Sequence, residues 1–407
     1  MAEDRQASQL LKARALLGAR RWEEAAELLL ERGEALREAG QCDEALSALA
    51  LGGDAAWRAD LPELAVRCFA QARDLPCATS AGRALRTLQL VPVLVELGEL
   101  DSAVLLLDEI GSGAGVPDLG LVALDARVGL ELLRGRAGRA RELLKEWSGL
   151  SGRDGEAALR FRQGQVAARS GDFPGAASAL SACIALVEGL ESHRGPLGAA
   201  LLELAEIAAF REDRADALAL AGRAAQAWRE AGRRSGVLRC EALRAAALAG
   251  APGPTAALDE ALEGIEKGLR YAEARDLHLL RAELLCASGI GLLGRDPPRS
   301  RERLALAAEL AGRQGALPLR GRALLALNDA PEGDREALEQ ACLDLVELAP
   351  WRCRAYVALA RLVALRPGGR EHALEICAAA LCRLASMDLP ADEARARGLL
   401  WQLGAGG

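Results

Sequence analysis

The chain has 407 residues, a formal net charge of -7 and 51% hydrophobic residues, with aromatics held to 3%. Its acids and bases are intermixed and form no basic tract, which excludes binding along a phosphate backbone, so no nucleic-acid partner is expected. Strand formers are scarce against abundant Ala, Leu, Arg and Glu, which excludes a β-rich fold and predicts an all-α chain.

The first residues, MAEDRQASQLLKARALL, carry acids ahead of any apolar run and lack the continuous hydrophobic region of a secretory signal. Residues 88–97 are too few to span a bilayer and include Pro92 and Glu96. The expectation is a soluble, cytoplasmic protein with no membrane partner. Residues 20–31 and 40–51 each open a helix with paired acids, Glu23 with Glu24 and Asp43 with Glu44, which favour the positive end of a helix dipole. These two segments and the next, beginning at Asp60, follow one another about every twenty residues. Residues 1–58 are therefore read as short capping hairpins at the amino-terminal end of a repeat array.

From residue 59 a longer period takes over. Short turns bearing Gly or Asp lead into apolar helices with a small residue near the start, at Ala65, Ala103, Ala140, Ala176, Ala217, Ala257, Ala337 and Ala373, with Arg301 the exception. Neighbouring landmarks lie 36–44 residues apart, the length of two helices and two turns. Twelve residues before five of them stand Gly53, Gly164, Ala205, Ala245 and Gly289, where two helices of a hairpin must cross closely. Gly111–Gly115 (GSGAG) has no following Lys and reads as an inter-repeat turn.

Gly289, Gly291 and Gly294 spell G-x-G-x-x-G, the spacing of a dinucleotide-binding turn. That turn follows a strand and opens a helix, whereas this one ends a predicted helix and runs into Asp296-Pro297-Pro298, so no nucleotide cofactor is expected. Ten cysteines form no C-x-x-C pair, and the three histidines (His193, His278, His372) are far apart in sequence. Reduced, mostly buried thiols and no metal are the expectation. No sequence-local catalytic motif is found, and the chain is read as non-enzymatic.

The residues Ala65, Phe69 and Ala72 ahead of Pro76, and Pro350-Trp351 followed by Tyr356-Val357-Ala358-Leu359-Ala360, resemble the tetratricopeptide repeat. The longer period is similar to that of irregular arrays attached to bacterial signalling ATPases and transcriptional activators. The resemblance implies a right-handed α-solenoid of antiparallel helical hairpins, roughly nine to ten repeats over 59–403, with 404–407 as a disordered tail. It also implies a concave groove lined by the first helix of each hairpin, where a partner protein would bind. On this register Phe161, Gln165, Arg169, Glu206, Phe210, Arg322, Arg354 and Arg361 point inward, the arginines suited to carboxylates of an acidic peptide or helix. A chain with one Asn and three Lys lacks the Lys/Asn set that clamps chaperone tails. The function expected is a scaffold, adaptor or regulatory subunit. An inhibitor that wraps a protease or transcription regulator, and a ligand-sensing module of a signalling ATPase or transcription activator, are the alternatives. Self-association is open, because a terminal helix bearing Leu399, Leu400 and Trp401 exposes them unless it is packed.

Overall fold

The computed structural model describes residues 2–110, 117–150, 155–249, 256–328 and 335–405; the GSGAG turn lies outside the described residues. The described residues form α-helices joined by short turns, with no strand among them. The chain opens with α1 (Ala2–Gly18), α2 (Trp22–Glu38), α3 (Cys42–Arg58) and α4 (Pro62–Arg73). Next come α5 (Ser80–Leu97), α6 (Leu100–Ile110), α7 (Pro117–Leu133), α8 (Ala137–Leu150), α9 (Glu156–Ser170) and α10 (Phe173–Val187). The middle holds α11 (Arg194–Phe210), α12 (Arg214–Glu230), α13 (Arg234–Ala249), α14 (Ala256–Glu273), α15 (His278–Leu292) and α16 (Pro297–Arg313). The carboxy-terminal helices are α17 (Leu317–Leu327), α18 (Arg335–Asp344), α19 (Ala349–Ala364), α20 (Arg370–Leu384) and α21 (Pro390–Ala405). Each helix packs on the next, giving the expected solenoid of antiparallel hairpins.

Local chemistry sets the helix ends. Thr79, Asp172, Asp213 and Asp296 each accept a backbone N–H two or three residues into the helix they precede, satisfying donors the helix leaves free. Asp43, Glu44, Glu23 and Glu24 fall in first turns, as the sequence predicts. The twenty-residue rhythm of the amino-terminal end has a backbone cause. Arg20, Gly40 and Asp60 all adopt left-handed φ values (58, 75 and 54°) just before α2, α3 and α4.

The landmark positions behave as small core residues at Ala65, Ala103, Ala140, Ala176, Ala217 and Ala373, all 0% exposed. At three places the register is one residue off. Leu258 and Leu338 are buried beside half-buried Ala257 and Ala337, and Ser300 takes the core position next to Arg301. The apparent exception at Arg301 is therefore a misplacement by one residue. Ser300 is small, and its hydroxyl donates to the Gly289 carbonyl at 2.7 Å.

The crossing glycines are closely covered. A Cβ on Gly53 would lie 2.4 Å from the Phe69 ring, on Gly164 2.5 Å from Leu180, and on Gly289 2.5 Å from Leu304. Gly289 and Gly291 lie within α15, and Gly294 follows its end, so the G-x-G-x-x-G spacing serves helix packing. A matched pair of substitutions tests this. Gly164→Ala should destabilise by about 1–3 kcal/mol through overpacking. Gly222→Ala, in mid-α12 with nothing within 4 Å of the added Cβ, should stabilise by up to about 1 kcal/mol. Urea unfolding of both variants gives the two signs.

The superhelix closes on itself. Hydrogen bonds join residues 143 to 216 positions apart, about four to six repeats, so one coil seats on the other. Gly98 abuts Gln314, Gly135 abuts Pro318, and Gly171 abuts Met387. Gly138 N–H donates to Glu347, Arg211 pairs with Asp388, and Arg395 pairs with Glu212. Turns of one coil thus pack against turns of the next, which narrows the concave groove along the axis.

Two further expectations are corrected. Cys42 and Cys77 form a disulfide between the start of α3 and the turn after α4, so the thiols are not all reduced. The pairing is 35 residues apart in sequence, and no local motif announces it. Most of the remaining cysteines are buried thiols; desolvation pushes Cys68 and Cys240 up to about 12, far from reactive thiolates. The last helix runs on to Ala405, through the first two residues of the expected tail. No helix among the described residues is long and apolar enough to cross a membrane.

Candidate functional site: an axial cavity

Closure of the coils leaves a cavity of about 440 Å³ on the superhelix axis. The inner, odd-numbered helices α9 to α19 contribute its wall, with α21 at one end. Leu243, Ile290, Leu293, Leu325 and Val357 supply apolar surface, as expected of a pocket in which a few polar groups set orientation.

Of the eight inward-pointing residues read from the sequence, six line this one cavity: Arg169, Glu206, Phe210, Arg322, Arg354 and Arg361. Phe161 and Gln165 do not. Phe161 is part-buried against the core with the Arg162 guanidinium 5.3 Å from its ring. Gln165 belongs to a polar ladder across α7, α9 and α11, in which Asp125 pairs with Arg162, Arg162 donates to Gln165, and Gln165 donates to Glu203.

The arginines differ sharply in what holds them. Arg354 is fully engaged: it donates to both Asp392 oxygens at 2.9 and 2.8 Å and to the Phe210 carbonyl at 2.7 Å. Its guanidinium also lies 3.7 Å over the Phe210 ring. Arg354 is thus a strut tying α11, α19 and α21 together. Arg169 reaches Glu203 at 3.4 Å and Glu206 at 3.9 Å. Arg322 stands apart. Its guanidinium stacks 4.8 Å from the Trp351 ring, its Nε is buried without a hydrogen-bond partner, and it makes no ion pair among the described residues. Stacking leaves the edge of a guanidinium free for a carboxylate.

Glu206 faces Arg322 across the cavity. Its side chain is 34% exposed and lines the cavity. Burial pushes its carboxyl up from the usual range, repulsion from Glu203 adds to this, and Arg169 and Arg322 pull it back. Among the described residues no group of three or more His, Cys, Asp or Glu side chains is placed to share a metal ion.

Sequence reasoning missed Asp392, Glu203 and the cavity face of Trp351. A usable signal was present, because the partners lie about one repeat apart: Asp125 and Arg162 by 37 residues, Gln165 and Glu203 by 38, Arg354 and Asp392 by 38. Trp351 packs edge-on to Phe210 with ring centroids 4.8 Å apart and also lines the cavity.

No family model matches the sequence, and no curated protein does. Solved structures do match in fold. A Rap protein complexed with competence and sporulation factor is 15% identical with a TM-score of 0.50, over 80% of this chain and 98% of that one. A signal-transduction ATPase of the STAND class with a tetratricopeptide repeat sensor, from Pyrococcus horikoshii, is 14% identical with a TM-score of 0.36, over 76% of this chain and 52% of that one. Yeast Tom70 is 11% identical with a TM-score of 0.28, over 94% of this chain and 96% of that one. The nearly full-length match to the Rap protein at 15% identity is a likeness of fold, and it agrees with the hairpin succession seen here. The chain is a tetratricopeptide-like helical repeat array.

Proposed function

We propose that this chain is a non-catalytic binding protein, an adaptor or regulatory subunit, that holds an acidic segment of a partner protein in its axial cavity. The observation that carries this reading is Arg322, stacked on Trp351 in the cavity wall with a buried Nε that has no hydrogen-bond partner and with no ion pair among the described residues; Glu206 and Glu283 act on it only at longer range. A carboxylate entering beside it would complete a desolvated charge pair. Arg361, an exposed arginine of the lining with no ion pair among the described residues, offers a second contact. The Rap protein with the same fold was solved with a bound factor, which supports a binding role for a superhelix of this kind.

The test compares wild type with Arg322→Glu/Arg361→Glu in affinity purification from native lysate, followed by calorimetry on the partner identified. Arg354 stays untouched, since reversing its charge against Asp392 would report on folding. The double variant should fold normally by circular dichroism and lose at least about 30-fold in affinity, the ~2 kcal/mol lower bound for losing one partner of a buried charge pair. A partner retained at unchanged affinity would sink the proposal.

One observation favours a second reading, a sensor of a small acidic ligand. The cavity is lined by both coils, and about 440 Å³ suits a small molecule as well as the tip of a peptide. Mass spectrometry of small molecules carried through the same purification distinguishes the two.

A further inference from the structure

Taking the acidic ligand proposed above as given, we infer that the axial cavity takes up a proton as that ligand binds, and that Glu206 is the side chain that accepts it. On α11, Glu203 and Glu206 lie one turn apart, and both turn to Arg169 on α9. Glu203 has the better share. Arg169 approaches it at 3.4 Å and Gln165 donates to it, whereas Arg169 comes no nearer than 3.9 Å to Glu206. Two acids thus share one arginine, and Glu206 is the more loosely held. The second cation that favours its charge, Arg322 on α17, acts from across the cavity. A ligand carboxylate settling on Arg322 offsets that attraction and brings one more negative charge to the same wall, so the most loosely held acid is the one to be neutralised.

No other group facing Glu206 is as free to change its charge. Glu283 on α15 is also raised by burial, but Arg239 donates to it at 2.7 Å and it lies outside the cavity lining. Cys240 on α13 is pushed up to about 12 by burial and stays a neutral thiol. Toward α19 and α21, Asp392 holds Arg354 and Arg395, Glu212 pairs with Arg395, and Arg361 is a permanent cation. Among the described residues α10 and α12 place no charged side chain in the wall, and none of the three histidines, which ordinarily titrate near neutral pH, lines it. Burial and Glu203 already push the Glu206 carboxyl above its usual range, so the charge of a ligand adds to a shift already under way. Once neutral, Glu206 also carries an O–H that can donate to the ligand's carboxylate. Because the ligand raises the Glu206 pKa, the complex holds more protons than the free protein. Affinity therefore rises as pH falls from the complexed value toward the free one, by at most about tenfold per pH unit for one coupled proton.

Calorimetry on the full chain with a blocked acidic peptide, acetyl-Glu-Leu-Glu-amide, tests this at about pH 8 and about pH 6, where the peptide's own carboxyls stay ionised. Two buffers of different ionisation enthalpy at each pH count the protons bound. Wild type should bind roughly tenfold tighter at the lower pH, with a net uptake approaching one proton per peptide. Glu206→Gln should bind at the higher pH at least as tightly as wild type, take up no proton and change less than about twofold between the two, with unchanged circular dichroism. The wild-type proton count decides the matter even if the variant does not fold. Equal binding at both pH values without proton uptake overturns the inference and leaves the carboxylate site standing, as does a pH dependence that persists in Glu206→Gln. A peptide that binds at neither pH, or that binds as tightly to Arg322→Glu/Arg361→Glu, overturns the carboxylate site itself and the proton coupling with it.

Discussion

Asp60→Ala should cost about 3–5 kcal/mol of unfolding free energy, the penalty for removing one partner of a buried charge pair, and should separate the first coil from the second. The Asp60 side chain is 1% exposed. Its carboxylate accepts from Arg233 Nε at 3.0 Å, from the Ser235 backbone N–H and hydroxyl at 2.8 Å each, and from the Tyr271 hydroxyl at 3.0 Å. These donors lie 173 to 211 residues away, so this one side chain binds the turn before α4 to the coil above it. Alanine would leave four donors unpaired in a site with no room for bulk water. Asp60→Gly sharpens the argument. Glycine would relieve the left-handed φ of 54° but could recover no more than about 1–2 kcal/mol, so it should remain clearly destabilised. Urea unfolding followed by circular dichroism measures the loss, and an earlier separate phase for α1–α4 is expected, because repeat arrays lose cooperativity when an interface fails. Solution scattering should show an increased radius of gyration under native conditions. A loss below about 1 kcal/mol would mean that the seam is held elsewhere.

The contrast between Asp60 and its own turn shows what the sequence could disclose. That a helix begins near residue 60 was legible, because the same loop-to-helix cue precedes α2 and α3 at twenty-residue intervals. That Asp60 is the hub of a buried network was not, because its partners are two hundred residues distant and carry no shared motif. The same division runs through the cavity. Gly53, Gly164 and Gly289 could be placed from the repeat period because helix crossing is a local demand on residue size. Arg354 and Arg322 were alike in sequence, both arginines on inward faces, yet one is locked by Asp392 and Phe210 and the other keeps a buried Nε without a hydrogen-bond partner. Only the closing of one coil on another decides between them. Around Ala257, Arg301 and Ala337 the small-residue cue slips by one position, because Leu and Ser can fill the same core site.

Arg239→Met is the second large effect, and its sign with pH is diagnostic. Arg239 on α13 donates to both Glu96 oxygens on α5, at 2.9 and 2.8 Å, and to Glu283 on α15 at 2.7 Å. Burial pushes the Glu96 carboxyl up, but Arg239 outweighs it and holds the group below the usual carboxylate range. Burial also raises Glu283, which Arg239 only partly offsets and Glu96 pushes further. In wild type, Glu96 contributes stability above its unfolded pKa that is lost as pH falls through its lower folded value. Glu283, raised in the fold, contributes in the opposite direction. With methionine at 239, buried Glu96 and half-buried Glu283 are left without this cation, and the cost at pH 7 should be about 3 kcal/mol, the lower end for a broken buried pair. Both folded pKa values then lie above the unfolded value of about 4.3, so the native state binds more protons than the unfolded chain and stability must rise as pH falls. The gap between wild type and variant should therefore narrow between about pH 7 and 5, as read from urea midpoints at each pH. Adding Glu96→Gln and Glu283→Gln to the variant should restore much of the loss at pH 7, because neutral amides need no cation. A gap that stays constant with pH, or an unrescued triple variant, would show that Arg239 acts through packing of its long side chain and that the charge on the axis is incidental.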